Sequence, residues 1–159
     1  MMKYNTVVIF VIHGDEILML NRNKHSWMGM WNSVGGKIEN GETPIEAAIR
    51  ETYEETGIKI SENNFNYLAD LNWFFEEDEC GGSYCYLAYT DEKIATPLST
   101  REGILEWKKI DWVLDKRNRG IVPDIFLLLT GMLSGTFKEI NAYYDKNDIL
   151  YNIVEVNGK

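Results

Sequence analysis

The chain has 159 residues, 45% of them hydrophobic and 26% charged, proportions that fit one globular domain and exclude a disordered or collagen-like polymer. Its 16 Lys and Arg stand against 25 Asp and Glu, a formal net charge of -9, which excludes gripping a nucleic-acid backbone by charge alone. A polyphosphate stays within reach if divalent cations bridge the two sets of negative charge. In chain order, Thr6–Ile12 reads as a strand, His13-Gly14-Asp15 as a turn and Glu16–Asn21 as the returning strand. Asn23–Met30 is a polar loop holding Trp27, and Trp31–Val34 is a short extended piece leading into Gly35-Gly36. Thr43 then opens the clearest helix. It is a good N-cap, Pro44 suits the first helical position, Glu46 completes a capping box, and Gly57 is the natural stop, so the helix spans Pro44–Thr56. Phe65–Glu76 and Ser83–Thr90 read as strands joined by an acidic turn containing Gly81-Gly82. Ile104–Ile110 is a further strand and Pro123–Leu133 a second helix, and Gly135–Tyr144 with Ile149–Val156 forms a closing hairpin around Asp145-Lys146-Asn147-Asp148. The expectation is one mixed α/β domain, residues 1–159, with helices packed on a sheet.

The opening Met-Met-Lys-Tyr-Asn is not a charged region followed by a helical apolar core and a cleavage site. Thr6–Ile12 is only strand-length, and Ile121–Leu133 is interrupted by Pro123 and Asp124, so neither supplies the ~20 residues that cross a bilayer. A cytoplasmic protein without membrane or nucleic-acid partners is expected, as monomer or homodimer. Cys80 and Cys85 are the only cysteines and His13 and His25 the only histidines. They suggest neither a disulfide framework nor a zinc set, in keeping with a reducing compartment.

The first helix carries an apolar stripe, Ile45, Ala48, Ile49 and Thr52, at core-facing spacing. Beside it stand Glu51, Glu54 and Glu55, three and four residues apart and therefore neighbours on the helix surface. Like charges at these spacings cost a few tenths of a kcal/mol each, roughly. They also sit in the second half of the helix, where the macrodipole disfavours anions. Arg50 offsets part of this, and the remainder calls for a counter-charge such as Mg²⁺, which takes oxygen ligands. Immediately upstream, Gly35-Gly36-Lys37-Ile38-Glu39-Asn40-Gly41-Glu42 is a glycine-punctuated loop that lets backbone approach a ligand.

Together these segments spell Gly36, Glu42, Arg50, Glu51, Glu54, Glu55 and Gly57 as Gly-x5-Glu-x7-Arg-Glu-x2-Glu-Glu-x-Gly, a pattern expected by chance less than about once in a million. The stretch 36–58 resembles the box of the Nudix hydrolases, departing only at Thr52, where an aliphatic residue is usual. The resemblance implies an α/β/α sandwich around a mixed sheet, with the box as a loop-helix-loop. It also implies hydrolysis of a nucleoside diphosphate linked to another group, with Mg²⁺, or Mn²⁺, as cofactor. Carried over, Glu51, Glu54 and Glu55 and the carbonyl of Gly35 are metal ligands, while Glu42 and Arg50 brace the loop behind them. Glu102, in Leu98–Trp107, resembles the glutamate that adds a metal ligand or a base in MutT-like members. Glu54, Glu55 and Glu102 all remain candidates for the general base. The chemistry agrees independently: cations held by carboxylates neutralise a pyrophosphate and lower the pKa of bound water, and a free carboxylate can take its proton.

The box alone does not select a substrate. Trp31-Asn32 followed by Ser-Val-Gly-Gly-Lys37 resembles the entry of the oxidised-purine nucleoside triphosphatases, such as 8-oxo-dGTP diphosphatase, which implies that Asn32 hydrogen-bonds the base. The tail, from Thr96-Pro97 through Leu133–Phe137 to Asp148–Tyr151, resembles the same subgroup loosely. Relatives in that subgroup carry acidic residues just before the second helix, and here Asp124 alone is acidic. Trp27, Trp73, Phe74 and Phe75 are either a stacking wall for a purine or core, and strand alternation favours core for the last three. Arg22 and Lys37 are candidates for phosphate oxygens. The leading expectation is a Mg²⁺-dependent enzyme that cuts oxidised purine triphosphates to monophosphate and pyrophosphate. A pyrophosphatase acting on ADP-ribose, a nucleotide sugar or a dinucleoside polyphosphate is the alternative. A non-catalytic nucleotide-sensing module is the third reading, disfavoured by the complete acidic set.

Overall fold

The computed structural model describes residues 2–135 and 139–156. Strand β1 (Thr6–His13) lies inside the sheet because both of its faces are apolar. Val7, Ile9 and Val11 serve one core, Phe10 and Ile12 the other. One edge of β1 pairs parallel with β6 (Asp78–Tyr89). The opposite edge is shared: β2 (Glu16–Arg22) takes its last residues and β4 (Val34–Lys37) its first, both antiparallel. The sheet continues outward on one side through β5 (Phe65–Phe75), β9 (Glu139–Tyr144) and β10 (Leu150–Glu155). On the other side come β8 (Gly103–Lys109) and β7 (Leu98–Ser99), while β3 (Trp31–Asn32) pairs with β2. The β1–β6 and β5–β9 pairs are parallel and the rest antiparallel, so the sheet is mixed.

Helix α1 (Pro44–Thr56) lays Ala47 and Ala48 against Val7, Ile9, Val11 and Leu18 on one face. Helix α3 (Pro123–Ser134) covers the other face with Ile125, Leu128, Leu129 and Met132, on Phe10, Ile12 and Leu71. Each buried Leu there contributes on the order of 2 kcal/mol. A single turn, α2 (Ile110–Val113), follows β8. The result is the expected α/β/α sandwich on a mixed sheet. Among the described residues no helix is long and apolar enough to cross a membrane.

The α1 signals are realised as read. Glu46 N–H donates to Thr43 Oγ1 at 3.4 Å, Thr43 N–H donates to Glu46 Oε2 at 2.8 Å, and Gly57 closes the helix in the left-handed region at φ 75°. Thr43→Ala is expected to cost about 1 kcal/mol, the usual worth of an N-cap, and thermal melting checks it. Thr52 is buried, and its hydroxyl is satisfied by donating to the Ala48 carbonyl at 2.7 Å, so the departure from an aliphatic residue leaves no orphan group.

Three boundaries differ from expectation. The β5–β6 connection is the two-residue turn Glu76-Glu77, with φ 48° and 74°, the primed turn that matches strand twist. Gly81-Gly82 lie inside β6 instead. Gly82 serves close approach, since a Cβ there would fall 2.6 Å from the Tyr4 ring and 2.3 Å from the Leu71 carbonyl oxygen. Trp31–Val34 divides into β3 and the start of β4, which pair with different strands. Gly135 caps α3 at φ 67° rather than opening a strand, and β9 is described from Glu139; residues 136–138, including Phe137 of the tail resemblance, lie outside the described residues.

Candidate active site

The Gly35-Gly36 backbone runs along β1 and beneath α1. A Cβ on Gly36 would sit 2.2–2.5 Å from the carboxylate of Glu51, so only glycine lets that carboxylate rest on the loop. Arg50 organises the surroundings. Its Nε and Nη2 grip Glu42 in a fork at 2.8 and 2.9 Å, Nη2 donates to the Lys37 carbonyl at 2.8 Å, and Nη1 reaches Glu51 at 2.9 Å and Glu54 at 3.2 Å. Glu42 also accepts the Glu39 amide at 2.9 Å. Arg50 therefore ties the loop to the helix, and its guanidinium holds the Glu42 carboxyl below the usual range.

Glu55 sits in an unfavourable setting for a carboxylate. Burial and then the neighbouring Glu51 charge push its pKa up to about 8, against the pull of the Gly35 amide. Its Oε2 is buried with no hydrogen-bond partner, the one such side-chain atom among the described residues. A divalent cation would complete that atom's shell, so the residues present fit the metal that the motif implies. Glu51 is likewise raised by burial, with Arg50 opposing. Glu54 stands apart. Its side chain is 56% exposed, held by Arg50, and off the cavity wall that Glu51 and Glu55 line. Successive helix positions are about 100° apart, so with Glu55 turned inward Glu54 faces solvent. Among the described residues no three acidic, His or Cys side chains already converge on one point.

Glu51 and Glu55 open onto a cavity of about 760 Å³, and most of the expected site residues line the same space: Gly35, Lys37, Arg22, Trp27, Asn32, Glu102 and Asp124. Glu102 is anchored by Lys24 at 3.0 Å. Arg22 donates Nε to the Ser26 carbonyl at 2.8 Å, which fixes the direction of its guanidinium. Asn32 Oδ1 accepts the Ser33 amide at 2.8 Å, and Nδ2 has no hydrogen-bond partner among the described residues.

The α3 side of the cavity is aromatic. Alternation along β5 puts Trp73 and Phe75 in the cavity wall and Phe74 on the opposite face, stacked on Tyr143 at 4.7 Å. Trp73 does pack against the α3-side core, as expected, and lines the cavity as well, whereas Phe75 is exposed on the cavity wall rather than in the core. Asp124, second residue of α3, is 5% exposed. It accepts the hydroxyl of Tyr144 at 2.7 Å, and burial raises its pKa. Trp27 packs on Tyr144 at 5.8 Å.

Residues 2–124, most of the chain, match the family model described as the NUDIX domain. The chain is a Nudix hydrolase. The NAD-capped RNA hydrolase NudC of Haemophilus influenzae is 34% identical over 79 residues, 48% of this chain and 29% of the relative. The NudC of Chromobacterium violaceum is 32% identical over 108 residues, 66% and 37% of the two chains. The matched part is about a third of these relatives' length. Among solved structures, a mutator MutT protein from Bacillus halodurans superposes with a TM-score of 0.73 at 24% identity, covering 94% of this chain and 95% of that one. The NUDIX domain of Shewanella oneidensis NrtR, complexed with ADP ribose, gives 0.62 at 18% identity, covering 84% and 88%. At these identities the superpositions show the fold. A bifunctional enzyme from Francisella tularensis with the same fold holds AMP and a Mn ion.

The cavity of this Nudix hydrolase is also lined by residues that sequence reasoning did not select. Tyr144 comes from β9, where Ile140, Ala142 and Tyr144 alternate inward, a period-2 signal that marks a buried face without saying what it faces. Ser26 and Asp148 complete the rim. Asp148 lies 3.5 Å from His25, a contact between two loops 123 residues apart that nothing local announces.

Proposed function

We propose that the enzyme hydrolyses a purine nucleoside triphosphate to the monophosphate and pyrophosphate, with oxidised purines such as 8-oxo-dGTP as the favoured class. The observation that carries this reading is a single cavity, sized for a nucleotide, that joins half-buried glutamates on the α1 side to an aromatic recess with Asn32 and Asp124 on the α3 side. Glu51, Glu55, Glu102 and the Gly35 carbonyl, all on the cavity wall, would hold Mg²⁺ or Mn²⁺, with Glu54 joining them only by turning away from Arg50. When bound, the metal neutralises phosphate charge and lowers the pKa of water. Glu55 or Glu102 would take the attacking water's proton, a reading supported by their position on the cavity wall and by Arg50 holding Glu54 outside it. Arg22 and Lys37 meet phosphate oxygens. Asn32 Nδ2 donates to the base, which stacks in the recess of Trp27, Trp73 and Phe75.

A second reading is hydrolysis of ADP-ribose, a nucleotide sugar or a dinucleoside polyphosphate, and the identity shared with the NAD-capped RNA hydrolases NudC favours a substrate with a pyrophosphate bridge of that kind. The acidic balance of the chain favours a free nucleotide over an RNA chain. A Mg²⁺-dependent hydrolysis panel separates these readings. It sets 8-oxo-dGTP and 2-oxo-dATP against ordinary triphosphates, ADP-ribose, diadenosine polyphosphates and NAD-capped RNA, with products identified. Pyrophosphate release from oxidised triphosphates at the highest kcat/KM is the expected result. Preferential cleavage of ADP-ribose, a dinucleotide or the capped RNA into two phosphate-bearing fragments would displace it.

A further inference from the structure

We propose that Lys24 is a positioning residue that aims the Glu102 side chain into the cavity, and that turnover depends on it although Lys24 meets neither substrate nor metal. This inference rests on the reading of Glu102 as a metal ligand or base. The main chain around Glu102 is held from several sides. Its amide donates to Thr100 Oγ1 at 3.2 Å, and its carbonyl accepts the Asn23 amide at 3.0 Å. Asn23 Nδ2 donates to the Arg101 carbonyl at 3.2 Å. Gly103 follows at φ 146°, pressed so closely on β2 that a Cβ would fall 1.8 Å from the Asn21 carbonyl oxygen. With the backbone fixed in this way, the freedom left to Glu102 lies in its side-chain torsions.

Electrostatics decides where that side chain points. Glu102 shares the cavity with Glu51 and Glu55, and its charge is felt at Glu55. Three carboxylates in one cavity repel, and a side chain 38% exposed has solvent to turn towards. Lys24 opposes that escape. Its Nζ binds Glu102 Oε1 at 3.0 Å, and it is the one cation in contact with Glu102 among the described residues. Glu102 Oε2, with no hydrogen-bond partner among the described residues, is left for a cation or a water. Lys24 does not line the cavity, so it acts through Glu102. Its own place is set by the loop that carries it. Arg22 donates its amide to the Met30 carbonyl at 3.1 Å, and Gly29 donates to the Arg22 carbonyl at 2.7 Å, which closes the loop at its base. Trp27 against Tyr144 and His25 against Asp148 hold its far side. An ion pair as exposed as Lys24–Glu102 contributes little to stability, so its loss should be felt in the rate and hardly in the melt.

The test compares the wild type with Lys24→Met, Lys24→Arg, Glu102→Gln and the double variant Lys24→Met/Glu102→Gln. Mg²⁺-dependent kcat and KM are measured on 8-oxo-dGTP and, in parallel, on ADP-ribose. The substrate that the wild type turns over carries the comparison, so the result for Lys24 is separate from the choice of substrate. Lys24→Met should lower kcat about 10–100-fold, the usual effect of losing a residue that orients a metal ligand, with KM within about threefold. Its metal-free melting temperature should stay within about 2 °C of the wild type. Lys24→Arg keeps the charge of what is a single-point contact, so its kcat should stay within about threefold of the wild type. In the Glu102→Gln background, losing Lys24 should cost no more than about twofold, because the two residues act as one unit. A crystal structure of metal-free Lys24→Met should show Glu102 turned out of the cavity with the backbone of residues 100–103 unmoved. Wild-type kcat in Lys24→Met beside an impaired Glu102→Gln would overturn the proposal and leave the reading of Glu102 standing. Full turnover by Glu102→Gln would overturn both. A loss that persists undiminished in the Glu102→Gln background would overturn the proposal as well, since Lys24 would then meet the substrate itself.

Discussion

Glu55→Gln is expected to cut kcat/KM by roughly 10³-fold while raising the stability of the metal-free protein. The two effects share one cause. In Glu55 the fold encloses a carboxyl whose Oε2 has no partner and whose closest charge is another glutamate, an arrangement that is unfavourable until a cation arrives. Glutamine keeps the shape, removes the charge and cannot serve as an anionic ligand or a base, and a lost acid–base group alone is worth about 10²–10⁴-fold. The pH dependence follows from the direction of the shift. The pKa rises from 4.5 in the unfolded chain to about 8 in the fold. The wild type therefore suffers no penalty below 4.5 and loses stability progressively as pH rises towards 8. With EDTA present, the glutamine variant should melt like the wild type near pH 4.5 and exceed it by about 2 kcal/mol at pH 8, part of the shift's full worth because the cavity is open to water. Adding Mg²⁺ should raise the melting temperature of the wild type and leave the variant unmoved. A variant that gains the same Mg²⁺ stabilisation, or retains full turnover, would remove Glu55 from the metal site.

The parts of the molecule that sequence displays best are those whose determinants are local. Helix α1 is specified within fifteen residues by Thr43, Pro44, Glu46 and Gly57, and each does what its chemistry suggests. The box is similarly compact, because loop and helix succeed one another and Arg50 needs only to reach back to Glu42 and Lys37. Helical geometry also tells which carboxylates are neighbours. It does not tell which of them turns inward, since that depends on how α1 is rotated against β1 and β4. Thus Glu51, Glu54 and Glu55 are equivalent in the sequence, and the fold separates Glu54 from the other two. The recess for the base is less legible for a stronger version of the same reason. It joins Trp73 on β5, Asp124 on α3 and Tyr144 on β9, and no spacing within one element encodes that meeting. Alternation separates Trp73 and Phe75 from Phe74, yet both faces of this sheet pack against something, so alternation alone cannot distinguish cavity from core. The turn at Glu76-Glu77 was masked because two glutamates occupy backbone that glycine or asparagine usually marks, while the nearby glycines serve close packing on Tyr4.

Arg50→Ala should lower kcat/KM by about 100-fold even though Arg50 lies off the cavity wall. Residues that orient metal ligands typically cost 10–100-fold, roughly, when lost, and Arg50 performs two such tasks at once. It holds Glu51 and Glu54 by the same nitrogen, and it fastens Glu42 and the Lys37 carbonyl, which carry the loop whose Gly35 and Gly36 lie against the cavity. Removing it leaves three carboxylates mutually repelling and the loop untethered, at a cost of about 2 kcal/mol in stability for a network that is only partly exposed. Arg50→Lys distinguishes charge from geometry. Lysine restores a positive charge but has no planar fork to engage both oxygens of Glu42 while reaching Glu51. It should recover most of the stability and little of the activity, and the Mg²⁺ concentration giving half-maximal rate should remain raised at least tenfold in both variants. Metal titrations of rate beside thermal melts make the comparison. Full activity in Arg50→Lys would show that the site needs only a nearby cation, and an unchanged Mg²⁺ requirement in Arg50→Ala would show that the glutamates orient themselves.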